Sequence, residues 1–150
     1  MATLLTDIPS AAVAASQGLK ASRYSADFSP ESLWQVEQFF EDNSGGGKPR
    51  GELSRDTGKR LFAIGCYVGE VIRRSRGGEW QADDADPQGE INIAVRLPDG
   101  SVVWPVQRLL KRVKDGNGES IAAYGLALGV PIGPAPKKPG FMDKLRRHFE

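Results

Sequence analysis

Between residues 28 and 130, apolar positions recur at helical spacing in four places and alternate in one. In SPESLWQVEQFFED, Leu33, Val36, Phe39 and Phe40 mark one helix face, with Trp34 at its edge. Its start is signalled by Ser29 as cap, Pro30 in the first turn and Glu31 at the positive end of the dipole. NSGGGKPRG breaks the pattern and predicts a flexible loop. A second helix is predicted over 56–75. Its centre, LFAIGCYV, is apolar on nearly every side, the mark of a buried central helix, and RGG stops it.

Three short strands follow, in EWQAD, EINIAVRL and SVVWP. Ile91, Ile93 and Val95 alternate with Asn92, Ala94 and Arg96, as on a sheet with one buried face. Pro105 opens a third helix whose apolar face is Val106, Leu109, Leu110 and Val113 and whose other face, with Arg108, Lys111 and Arg112, is basic and solvated. ESIAAYGLALG supplies a fourth, with Ile121, Tyr124, Gly125 and Leu128 on one side. The pattern predicts an α+β domain over 28–130: a three-stranded antiparallel meander packed against about four helices.

The ends read differently. Residues 1–27 are rich in Ala and Ser with little periodicity, predicting a loose N-terminal arm with room for one short helix. Residues 131–140 hold four prolines and read as a stiff, extended linker. Residues 141–150 form an amphipathic basic tail: Phe141, Met142, Leu145 and Phe149 on one side, Lys144, Arg146 and Arg147 on the other. Such a tail can dock on its own domain, fill a partner's groove or touch an anionic membrane.

Composition adds limits. At 150 residues, 39% hydrophobic and 26% charged, the chain is an ordinary globular protein with enough length to bury a core. The net charge of +1 gives no global reason to expect nucleic acid. The charge is nonetheless sided: net −4 over 1–47, +5 over 48–76, −5 over 77–104 and +5 over 105–150. A lone cysteine, Cys66, fits a reducing compartment. The first residues lack a basic start, and Asp7 and Pro9 interrupt their apolar run, so a signal peptide is set aside and the expected location is the cytoplasm.

Few residues carry chemistry. His148 is the only histidine, which rules out a His-based triad or multi-His metal site. Asp84, Asp86 and Gln88 alternate as in a calcium loop, but position 12 of that loop falls on Val95, where a bidentate glutamate is needed. GGGKP lacks the leading glycine and the Ser/Thr of a phosphate loop. Cys66 reads as a core residue. No catalytic residue, cofactor or metal is expected.

The stretch GCYVGEVIRRSRGGEW is the most informative. Gly65 and Gly69, four apart in a helix where each costs about 1 kcal/mol, imply the close approach of a neighbour. Glu70 precedes Arg73 and Arg74 at ion-pair spacing. Trp80 follows the glycine break, and an aromatic beside arginines is the composition of a partner hot spot.

Three pieces, SPESLWQVEQFF, IGCYVGEVIRRSRGGEW and GSVVWPVQRLLKRVKDG, together resemble a bacterial family of uncharacterised small α+β domains over about residues 24–128. The resemblance implies the fold and carries over no activity. By analogy with the small domains that bacterial genomes place beside toxins, it suits an immunity-type protein. The expected function is a non-catalytic protein-interaction module, a regulatory or toxin-neutralising partner, with Glu70, Arg73, Arg74, Trp80, Phe141, Leu145 and Phe149 as contact residues. Two alternatives stand beside it. One is a small-ligand binder or enzyme using Glu37 and Glu70 with the arginines near Trp80; the other is recruitment to a membrane surface through the tail.

Overall fold

The computed structural model describes residues 2–136. Its organising element is α3 (Thr57–Arg76), buried from Ile64 to Ile72 on all but the Glu70 side. The other elements close around it: α1 (Leu4–Ala21) along one flank, α2 (Leu33–Asn43) beneath, and α4 (Pro105–Asp115) along another flank. The short α5 (Ile121–Ala127) closes over α2.

The first 27 residues, expected to be a loose arm, supply the long helix α1. A capping box between Thr3 and Thr6 starts it, and Ile8, Ala12, Ala15 and Leu19 are buried on one stripe. The helical period is present in the sequence, but alanine carries so little apolar area that the stripe is faint there. Those small side chains let α1 lie close to α3.

The glycine pair packs as its spacing implied. At Gly65 a methyl group would stand 2.5 Å from Val106 Cγ2 and 3.2 Å from its backbone nitrogen, so α4 enters against bare helix. At Gly69 it would collide with the six-membered ring of Trp80.

The meander is present, in the order β3 (Glu79–Gln81), β4 (Ala94–Arg96) and β5 (Val102–Val103), with Trp80 opposite Val95 and Val95 opposite Val103. Its middle strand is shorter than the alternation predicted. Asp83 and Asp86 accept hydrogen bonds from the backbone N–H groups of Ala85 and Gln88, and Asp86 also accepts one from the Asn92 amide. These local bonds hold the chain in turns through Ile91. Ile91 is consequently exposed, while Ile93, Ala94 and Val95 are buried in succession.

A second sheet appears where a flexible loop was expected. β1 (Ser44–Gly45) pairs with β2 (Lys48–Pro49) across Gly46 and Gly47, both at positive φ (60° and 78°), the backbone of a two-residue hairpin turn. The architecture is therefore mixed α+β and mostly helical, with five α-helices and two small antiparallel sheets among the described residues.

Two further expectations shift. On α4, Leu110 is exposed and Arg112, expected in solvent, is 2% exposed. Beyond α5 the chain turns at Gly129 and runs back, burying Val130 and Ile132. The Trp34 indole N–H donates to the carbonyls of Ile132 and Gly133, so core contacts continue into the proline-rich stretch. Among the described residues no helix is long and apolar enough to cross a membrane.

Candidate functional site

The last two turns of α3 carry Glu70, Arg73 and Arg74 on the one side of the helix left open. The RGG stop then returns the chain as β3 and lays Trp80 against Gly69. Four of the sequence-predicted contact residues thus meet in one cluster. Glu70 is its centre and accepts four hydrogen bonds. Arg73 gives two, Nε at 2.7 Å and Nη2 at 2.8 Å; Arg74 Nε gives one at 2.9 Å and Trp80 Nε1 one at 3.0 Å. The Arg73 bonds most of all, with those of Trp80 and Arg74, outweigh partial burial and hold the Glu70 carboxyl down at about 2.

The consequence is chemical. Glu70 is an anion at any physiological pH with its oxygens already occupied, so it has neither proton nor lone pairs to offer a substrate. What it does is aim two guanidinium groups. The Arg74 side chain is 51% exposed and reaches Glu70 through Nε, so its terminal amino groups carry no bond to that carboxylate. Its guanidinium stacks 4.2 Å above the Phe28 ring, a cation–π contact that removes much of its rotational freedom.

Phe28 is the residue that sequence reasoning missed. It sits at φ 64°, in the left-handed region that bulky side chains avoid at a cost of about 1–2 kcal/mol. Tyr67 compensates: its hydroxyl accepts the Phe28 N–H at 3.0 Å, its ring packs 4.7 Å from the Phe28 ring, and the hydroxyl also bonds Ser32 Oγ at 2.7 Å. No periodicity announces such a position, because its role is set by a turn.

Glu37 belongs to a different network. Its carboxylate accepts from Arg112 (Nη2 at 2.9 Å) and from the Ile121 backbone N–H at 2.8 Å, while Arg112 also reaches Glu41 at 2.9 Å. This clasp ties α2 to α4 and α5. Glu37 and Glu70, expected to act together in a ligand binder or enzyme, share no hydrogen-bond partner and belong to separate networks.

The other candidates resolve individually. Cys66 is fully buried against Ile8, Ala12, Ile93 and Val106, and burial pushes its thiol up to about 12, the wrong direction for a nucleophile. Asp84 accepts the Leu4 N–H, and Asp86 is occupied by the turn; among the described residues no group of three or more potential ligands could hold a metal. A groove of about 220 Å³ runs between α1 and α3 over Phe39, with Glu52, Asp56, Lys59 and Arg60 at its rim, and neither Glu37 nor Glu70 lines it. Trp104, unlike Trp80, is 44% exposed. Phe141, Leu145 and Phe149, like His148, lie outside the described residues. No family model, curated protein or solved structure matches the chain.

Proposed function

We propose that this chain is a non-catalytic protein-interaction module, and that the arginine end of α3 is its contact surface. One observation carries the reading: Glu70 is saturated by donors from Arg73, Arg74 and Trp80 and holds the two arginines in place. Fixing a guanidinium before a partner arrives removes part of the ordering cost of binding. A pre-oriented arginine over an aromatic ring, beside a tryptophan, is also the composition of a binding hot spot. The chemistry that fits Arg74 is a carboxylate on the partner, bound through the terminal amino groups that Glu70 leaves unused. A regulatory partner or a toxin to be neutralised are both proteins that such a surface would serve.

The test is capture from a lysate of the source cells by the full chain, by Arg74→Ala and by the Arg73→Ala/Arg74→Ala pair. A stoichiometric partner that binds the full chain, weakens with the single change and is lost with the double one supports the reading. Recovery of no such partner, or equal recovery by all three proteins, removes it.

A further inference from the structure

The last part of the described chain leaves apolar side chains exposed. From Ile121 to Pro136 there is no charged residue. Leu126 on α5 is 62% exposed, the most of any large hydrophobic residue described, and Ala123 and Ala127 are exposed beside it on the same helix face. Next to it lies α2, in a stretch (residues 28–47) that holds four carboxylates and no lysine or arginine. The clasp with Arg112 engages Glu37 and Glu41, but Glu41 stays 53% exposed, and Glu31 stands exposed beside Gly133.

The chain leaves from this same place. Trp34 pins the carbonyls of Ile132 and Gly133 against α2, and Ile132 packs beside Gly125 of α5. From Pro136, the five steps to Phe141 span at most about 17 Å. Helix α5, at seven residues, is only about 10 Å long. Residues 137–150 carry five Lys/Arg against two Asp/Glu, the complement of the α2 stretch, and Phe141, Met142, Leu145 and Phe149 supply apolar area.

We infer that residues 141–150 dock in cis on the exposed face of α5, with Leu126 as the apolar anchor and the α2 carboxylates facing the tail's basic residues. The short tether makes weak contacts sufficient. A segment held at a local concentration of order millimolar, with an affinity near 0.1 mM, is bound about tenfold more often than free.

The experiment times trypsin cleavage after Lys144, Arg146 and Arg147 by mass spectrometry. It compares the full chain, its Leu126→Asp and Ala123→Glu variants, and the free peptide 137–150. Both substituted positions are exposed, so the fold is expected to survive, which circular dichroism checks. The expected result is cleavage of the full chain about tenfold slower than of the peptide. Each variant should approach the peptide rate, and the protection should not change on serial dilution. Cleavage of the full chain at the peptide rate overturns the docking. Protection that survives both variants overturns the acceptor face, and protection that fades on dilution gives the site to a second copy's tail.

Discussion

Replacing Glu70 by glutamine tests the centre of the site. The change keeps the side chain's shape and one carbonyl oxygen for Trp80, but removes the charge that three arginine bonds address. Moving a carboxyl from its ordinary 4.5 to about 2 corresponds to roughly 3 kcal/mol before solvent screening. Arg73 and Arg74 are 35% and 51% exposed, so both recover water when released, and about 1–2 kcal/mol is the expected net loss.

The pH dependence is sharper than the magnitude. Because the folded value lies below the unfolded one, the stabilisation is complete above about pH 5.5 and lost as pH falls from about 4.5 through 2. Urea denaturation followed by tryptophan fluorescence, on wild type and Glu70→Gln at pH 7, 5, 4 and 3, therefore has a defined outcome. The gap between the two proteins should be full at pH 7 and narrow steadily below pH 5. Other carboxylates titrate too, but they are common to both proteins and cancel. A gap that stays constant with pH would show that the glutamine costs packing rather than charge, and the account of the site would be wrong.

Two glycines in helices should respond in opposite directions. Gly69→Ala drives a methyl into Trp80 and should cost about 1–3 kcal/mol, whereas Gly18→Ala on α1, with nothing within 4 Å, should gain about 0.4–1 kcal/mol; equal responses in thermal melts would refute the packing argument. Arg112→Ala strands Glu37 beneath α5 and should cost about 3–5 kcal/mol by urea titration, with a loss under 1 kcal/mol marking the clasp as ornamental. The Cys66 thiol should react with a maleimide only as fast as the protein opens, so rapid labelling in native buffer would contradict its burial.

Much of this molecule could be read from the chain, and the gaps have physical causes. Helices whose stripes use Leu, Val and Phe, such as α2, declared themselves. Helix α1 did not, because an alanine stripe is a packing surface of low area, visible only once α3 lies against it. The meander was legible, but the length of β4 was not, since Asp83 and Asp86 decide it through bonds to their own backbone. At the site, the i+3 and i+4 spacing announced Glu70 with its arginines, and the glycine break placed Trp80 near them. Phe28 and Tyr67 arrive from a turn and from the buried face of α3, and no local pattern relates them. The burial of Arg112 is illegible for a similar reason: a basic residue on an amphipathic helix belongs in solvent unless a carboxylate far along the chain claims it.

That distant claim has a consequence for how the protein is made. Leu33 is fully buried, and its methyl group lies against Gly125; Trp34 bonds Ile132 and Gly133; Glu37 accepts the N–H of Ile121. Every one of these partners is synthesised long after α2, separated from it by 84 to 99 residues for the hydrogen bonds. At about 5–20 residues per second, the apolar face of α2 waits on the order of 5–20 s in the growing chain before α5 can cover it. Helices α1 and α3 can meet early, but the nascent protein passes through a stage with an uncovered Leu33 and Trp34, and that interval is when it is most open to aggregation or to a chaperone.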